Sequence, residues 1–170
     1  MEILKYTLPA LIVLLATWLV LDKLLKEERR RRDYELRRRD RELTHPIRLR
    51  GYERLALLLE RITPEHLLLN IDFAELTRQQ LQRLLLEAIR AEYDHNLSQQ
   101  VYVSDEVWQA VALAKEEMVN FINSIALQMP ENASALEYAQ TLITAYANNG
   151  ETPTQRAQKM LKQEARTLYS

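Results

Sequence analysis

Three histidines and a few acidic residues are the side chains whose types could support metal binding or catalysis. His45, His66 and His95 are scattered along the sequence, so a metal centre would require the fold to gather them. Glu92 and His95 form one Glu-x-x-His pattern, whereas a carboxylate di-iron centre in a helical bundle uses two such pairs and two further glutamates. A histidine at the end of a helix explains His95 without a metal. We therefore predict no metal site.

Acid/base and nucleotide chemistry find equally little support in the sequence. Glu65–His66 and Glu116–Glu117 are adjacent pairs, and adjacent residues of a helix point to different faces. With two glycines and no cysteine in 170 residues, the chain offers no phosphate-cradling loop, no disulfide and no thiolate ligand. We predict no catalytic residue and no cofactor, and the protein is not expected to be an enzyme. A ligand sensor or an enzyme that uses a cleft between helices is the alternative.

The most unusual segment is Glu27–Leu43, in which eight of seventeen residues are arginine. This stalk basic run comprises Arg29, Arg30, Arg31, Arg32, Arg37, Arg38, Arg39 and Arg41. Residues 22–42 carry a net charge of +3 and residues 43–170 a net charge of −4. A nucleic-acid-binding domain is basic over a face of its fold, so nucleic acid is not the expected partner.

Acidic residues within the basic run indicate a solvated helix. An acid four residues before a base stabilises a helix by about 0.2–0.5 kcal/mol per pair. The pairs with this spacing are Glu27–Arg31, Glu28–Arg32, Asp33–Arg37 and Glu35–Arg39. We expect one helix through the stalk, residues 26–45, ending near Glu42 ahead of Pro46. Contact of the stalk with anionic lipid is a further alternative.

The residues before the stalk predict a transmembrane anchor, residues 1–25. Residues 6–21 carry no charge, and with the flanking aliphatic residues the helix is about 34 Å long, enough to cross a hydrocarbon core of about 30 Å. A cleaved signal peptide would need a small-x-small site, and "TWLVLDKLL" contains none. A buried core helix would show a polar face, and this segment has none.

Positive charge sets the predicted orientation of the anchor. Ten Lys/Arg lie in residues 22–42, against Lys5 and the terminal amine before the span. Because Lys and Arg near a span are retained on the cytoplasmic side, we expect the N-terminus outside and residues 46–170 in the cytoplasm.

Residues 46–170 predict a small cytoplasmic bundle of about five helices. Few glycines and prolines interrupt a sequence rich in Leu, Ala, Glu, Arg and Gln, so an all-α fold is expected. The first bundle helix ends at Pro64, and the second begins at a capping box made either by Asp72 with Glu75 or by Thr77 with Gln80. "NLSQQVYVSD" predicts a loop, followed by helices that start at Ser104, near Ala135 and at Thr152.

One charged helix face of the bundle is a possible partner-binding surface. Arg and Tyr are favoured at protein interfaces. The residues concerned are Arg48, Tyr52, Glu53, Arg54, Glu60 and Arg61. An ordinary solvated face with a core-packed tyrosine is the alternative interpretation.

The stretch "IRLRGYERLALLLERITPEHLLL", residues 47–69, preceded by one span and a charged helix, resembles a family of small single-span bacterial membrane proteins typical of the Bacteroidetes. That family has no assigned activity. The resemblance implies a bacterial inner-membrane setting and transfers no catalytic residues.

These observations lead to one principal hypothesis. We expect a membrane-anchored cytoplasmic helical module that serves as a scaffold or accessory subunit and binds an unidentified protein partner or forms a homo-oligomer. A bundle cleft with convergent Glu and His would instead favour the ligand sensor or enzyme, and a continuous basic stripe would favour contact with lipid or nucleic acid.

Overall fold

Most of the described chain is helical. The computed structural model describes the backbone of residues 2–167, and side chains of residues 14, 17–32, 34–35 and 44–167. Within residues 2–167 there are six α-helices, one 3-10 helix and no β-strand, so the predicted all-α class is confirmed. The α-helices are α1 (Glu2–Arg61), α2 (Pro64–Leu69), α3 (Arg78–Asn96), α4 (Asp105–Gln128), α5 (Ala135–Ala147) and α6 (Pro153–Thr167). The chain divides into two units, Met1–His45 and Pro46–Ser170.

The predicted end of the stalk helix near Glu42 is wrong, because α1 continues through Pro46 to Arg61. Proline in a helix removes one hydrogen bond and costs about 3 kcal/mol. The Arg-, Glu- and Leu-rich sequence on both sides has high helix propensity. In addition, the last turns of α1 are held in the core of the bundle, which compensates locally for the missing bond.

The predicted transmembrane anchor can be compared with the structure only in part. Among the described residues, no helix has a stretch long and apolar enough to cross a membrane. Of the predicted anchor, the side chains of residues 1–13, 15 and 16 lie outside the described ones.

The bundle has one apolar core, to which each of its α-helices contributes buried residues. Along the end of α1, Leu55, Leu58, Leu59 and Ile62 are fully buried. In the middle of the bundle, α4 packs against α3, α5 and α6. Its buried residues are Val107, Val111, Ala114, Met118, Ile122, Ile125 and Ala126. The helices that surround α4 therefore meet along one continuous apolar stripe.

Two local predictions about chain breaks need correction. The helix that was predicted to end at Pro64 ends at Arg61, and Pro64 begins a short helix, α2, that was not predicted. At this first helical position the missing N–H of proline costs nothing. Residues 97–102 were expected to be a loop and instead form a 3-10 helix, Leu97–Tyr102. This helix brings Tyr102 against α1: a Cβ at Gly51 would lie 2.9 Å from the Tyr102 Cβ. Glycine is therefore needed at position 51 for close packing.

Of the two capping boxes left open for α3, the structure uses Thr77 with Gln80. The Gln80 N–H donates to Thr77 Oγ1 at 3.2 Å, and the Thr77 N–H donates to Gln80 Oε1 at 2.9 Å. Asp72 instead accepts a hydrogen bond from the N–H of Ala74. An antiparallel bridge joins Thr77 to Ser134, which caps α5 in the same way. The starts of α3 and α5 are thus adjacent.

Two buried side chains from neighbouring helices donate hydrogen bonds to carbonyls of α4. The Arg78 side chain is 8% exposed and its Nη1 donates a 2.6 Å hydrogen bond to the carbonyl of Ala126. The Tyr138 hydroxyl donates to the carbonyl of Ile122 at 2.7 Å. Carbonyls in the last turn of a helix lack intrahelical donors, and a cation is favourable beside them. Arg78 therefore serves as a C-terminal cap from α3.

Candidate functional site

Two of the six predicted partner-binding residues, Arg48 and Tyr52, take part in a hydrogen-bond network inside the bundle. Arg48 Nε donates to the carbonyl of Tyr102 at 3.1 Å, and its Nη2 donates to the Tyr52 hydroxyl at 3.0 Å. That hydroxyl donates to Glu164 Oε1 at 2.7 Å. Tyr52 is only 4% exposed, so it lies beneath the surface that a partner would meet.

Glu164 completes the network at the start of α4. Its carboxylate accepts hydrogen bonds from the N–H of Ser104 at 3.0 Å and from the Ser104 hydroxyl. Ser104 is the N-cap of α4, and the positive end of a helix dipole favours an acid there. The network therefore ties α1, α4 and α6 together at one end of the bundle.

The same contacts shift two pKa values. Burial alone would raise the pKa of Glu164, but hydrogen bonds from Ser104 and Tyr52 and the nearby charge of Arg48 lower it below the ordinary 4.5. Burial, together with the hydrogen bond to Glu164, raises the pKa of Tyr52 to about 12. A neutral tyrosine and a charged carboxylate are thus both stabilised at neutral pH, as expected of a structural contact.

The other four predicted residues lie towards solvent. Glu53 and Arg54 are exposed. Glu60 accepts a hydrogen bond of 3.0 Å from Gln158 Nε2 on α6. Arg61 Nη1 lies 3.3 Å from Glu92 Oε1 on α3. Arg54 and Arg61 therefore mark an accessible part of α1.

These two arginines border a groove between α1 and α3. A cleft of about 240 Å³ is lined by Arg54, Leu57, Arg61, Glu92, His95 and Asn96. A second cleft, of about 450 Å³, is lined by Arg61, His66, Leu67, Asn70, Ile71, Ala88 and Glu92. Because both clefts share Arg61 and Glu92, we treat them as one surface, the α1–α3 groove.

The α1–α3 groove contains the Glu-x-x-His pattern seen in the sequence. Glu92 Oε1 accepts hydrogen bonds from Arg61 and, at 3.1 Å, from Asn96 Nδ2, and Asn96 is 3% exposed. His95 is exposed, whereas His66 Nδ1 lies 3.1 Å from Thr63 Oγ1. In the part of the chain that the structure describes, no three or more His, Asp or Glu side chains are placed to hold a metal ion.

The groove also includes a residue that sequence reasoning missed. Leu57 is 52% exposed between Arg54 and Arg61, whereas Leu55, Leu58 and Leu59 are buried. The run "LALLLE" contains too many leucines for periodicity to identify the outward one. Its exposure becomes evident only from the packing of α1.

In the stalk, the structure describes only part of the basic run. The predicted pair Glu28–Arg32 is present at 3.3 Å, but Arg31 pairs with Glu35, at 3.2 Å, rather than with Glu27. The basic run's first two members, Arg29 and Arg30, are exposed. The side chains of Asp33, Arg37, Arg38, Arg39 and Arg41, and with them two predicted pairs, lie outside the described residues.

A comparison with protein families assigns the chain to one family. The model of a family described as "Family of unknown function (DUF7935)" matches residues 1–168. The chain belongs to this family. The DUF7935 match covers both units of the chain, except for its last two residues. No curated protein and no solved structure shows significant similarity to the chain. For this DUF7935 chain, function has to be argued from its surfaces.

Proposed function

We propose that this chain is a membrane-anchored cytoplasmic scaffold or accessory subunit that binds a protein partner through the α1–α3 groove at a bacterial inner membrane. The observation that carries the proposal is the half-exposed Leu57 between two accessible arginines, beside a cleft. Protein interfaces combine an apolar contact with arginine, which is among the residues that contribute most to binding energy.

The described part of the anchor supports membrane insertion. Between positions 14 and 25, the tryptophan and all large aliphatic residues whose side chains are described are more than half exposed. They are Leu14, Trp18, Leu19, Val20, Leu21, Leu24 and Leu25. Such side chains all around one helix are unfavourable in water and favourable in lipid. The complete apolar sequence and the resemblance to single-span bacterial proteins add to this argument.

The orientation follows from charge. The ten Lys/Arg of residues 22–42 favour retention of the stalk and bundle in the cytoplasm. The bundle's net charge of −4 disfavours nucleic acid as its ligand. A protein partner, or a second copy of the chain, remains the best match to the groove.

Site-specific photocrosslinking in native membranes tests this proposal. The full-length chain would carry a photoreactive amino acid at Leu57 or, as a matched control, at Arg83 of α3, whose side chain is 79% exposed. We expect a discrete protein adduct from position 57 that position 83 does not give. Identical adducts from both positions, or none from position 57, would contradict the proposal.

A ligand sensor or enzyme is the second candidate, because Glu92 and His95 both line the 240 Å³ cleft. Under this alternative, a small molecule raises the unfolding temperature of the full-length protein, and His95→Ala removes the effect. The protein adduct at position 57 would then be absent.

A further inference from the structure

The exposed face of α1 carries a heptad pattern. Residues Ile47, Arg50, Arg54, Leu57 and Arg61 follow one another at steps of three, four, three and four. This spacing places the side chains on one stripe of a helix. In a coiled coil such positions are apolar, whereas three of the five here are arginine. We call these five residues the α1 stripe.

Every member of the α1 stripe is exposed. Ile47 is 51% and Leu57 is 52% exposed, and all three arginines are exposed. On the opposite face of the same helix, Leu55, Leu58 and Leu59 are completely buried, so the stripe is the solvent face of a helix whose other face is already packed. Its two aliphatic residues lie about 15 Å apart along the helix.

The side chains of the α1 stripe determine which kind of partner surface would be complementary to it. Two aliphatic side chains supply apolar contact, and three guanidinium groups supply positive charge. Within the described bundle, Arg50 and Arg54 form no ion pair, whereas Arg61 already holds a carboxylate, that of Glu92, at 3.3 Å. Guanidinium groups favour carboxylates because two N–H donors match two oxygens. A complementary surface is therefore apolar at two positions and acidic between them.

We propose that the α1 stripe binds an amphipathic helix of another protein that carries Asp or Glu opposite the arginines and aliphatic residues opposite Ile47 and Leu57. This inference rests on the proposed function and specifies the partner's chemistry. A second copy that docked through the same stripe would bring two sets of three arginines together, which like-charge repulsion opposes.

Two synthetic helical peptides test the charge preference with the full-length protein in detergent micelles. Both contain about 20 residues with leucines at the matching heptad positions, one with glutamate and one with lysine opposite the arginines. By fluorescence anisotropy we expect the glutamate peptide to bind about tenfold more tightly at low salt, since it gains ion pairs with Arg50 and Arg54 at a partly exposed interface, whereas the lysine peptide meets like charge there. Raising the salt concentration should reduce the difference, because the screening length falls from about 10 Å at 0.1 M to about 3 Å at 1 M.

Charge-reversal variants show whether the preference belongs to the α1 stripe. Arg50→Glu combined with Arg54→Glu should reverse the preference in favour of the lysine peptide. Arg90→Glu, which changes an exposed arginine of α3, should leave it unchanged. Equal binding of the two peptides, or an unchanged preference in the double variant, would overturn the inference.

Crosslinking at Leu57 in native membranes separates this inference from the proposed function. An adduct with an acidic helical segment of another protein, lost on double charge reversal, supports both. An adduct with a protein segment that is not acidic overturns the inference and leaves the proposed function standing. Adducts with lipid or with another copy alone overturn the inference, and lipid adducts alone overturn the proposed function as well.

Discussion

The hydroxyl of Tyr52 donates a hydrogen bond of 2.7 Å to Oε1 of Glu164, although 112 residues separate them in the sequence. The contact fastens the end of α1 to the C-terminal helix α6. Because Glu164 also holds the N-cap of α4 through Ser104, one carboxylate stabilises the junction of three helices.

Tyr52→Phe should destabilise the protein. A hydrogen bond to a charged group contributes about 1.5–3 kcal/mol, and we expect the free energy of unfolding to fall by about that amount. Urea unfolding followed by circular dichroism measures the loss. Tyr34→Phe is the matched control, since Tyr34 is 67% exposed in the stalk. Equal stability of the two variants would show that the Tyr52–Glu164 bond contributes nothing.

The pH dependence of stability provides an independent test of Glu164. Its folded-state pKa lies below the ordinary 4.5, so the native state stabilises the charged carboxylate. That contribution is complete above the unfolded-state pKa and is lost as the pH falls through the folded-state pKa.

We therefore expect the wild type to exceed Glu164→Gln in free energy of unfolding at pH 7, with the difference shrinking below about pH 4.5. Other acids with lowered pKa values, such as Glu137, are present in both proteins, so their contributions to the pH dependence cancel in the difference. Parallel stability curves between pH 7 and pH 3 would contradict this role of the carboxylate.

Gly51→Ala should also destabilise the protein, against the usual trend. In a free helix this change is favourable by about 1 kcal/mol. Here the new Cβ would lie 2.9 Å from the Tyr102 Cβ, so α1 and the 3-10 helix must move apart.

A double-mutant cycle isolates the contact between positions 51 and 102. In a Tyr102→Gly background the obstruction is gone, and Gly51→Ala should become stabilising. The measurement is the midpoint of urea unfolding for all four proteins. A higher midpoint for Gly51→Ala in the wild-type background would show that the close approach does not matter.

Periodicity and capping rules predicted much of the bundle because they act locally. The N-caps at Ser104 and Thr152 are found as expected. In α5, by contrast, periodicity would place the aliphatic residues Leu136 and Ile143 in the core, yet they are 56% and 38% exposed, while Tyr138 is fully buried. The partner of Tyr138 is distant in sequence: its hydroxyl donates to a carbonyl of α4, a contact that local periodicity does not indicate.

The candidate site was predictable only in part for the same reason. Arg54 and Arg61 could be identified as charged residues outside the apolar stripe, and they do border the groove. Glu164 could not be identified as a partner of Tyr52, since nothing in the sequence near either residue indicates the other. Pro46 led to a wrong prediction for the end of the stalk helix, because the local rule for proline takes no account of the packing that holds the following turns.

Residues 46–170 should fold without the anchor. Expressed alone they should be soluble, helical and cooperatively unfolding, because their apolar core is complete within this unit and a net charge of −4 opposes self-association. Circular dichroism during thermal unfolding and size-exclusion chromatography measure both properties. An aggregated or unfolded fragment would show that the bundle depends on the membrane or on its partner.

Thiol labelling in intact cells tests the central claim, a membrane-anchored bundle in the cytoplasm, most directly. The chain contains no cysteine, so Glu2→Cys and Leu127→Cys each introduce a unique thiol, the second at a position that is 86% exposed. With a membrane-impermeant maleimide, and the outer envelope permeabilised where one is present, position 2 should be labelled in intact cells. Position 127 should be labelled only after lysis, with both proteins in the membrane fraction. Labelling of position 127 in intact cells, or recovery of the chain in the soluble fraction, would contradict the account.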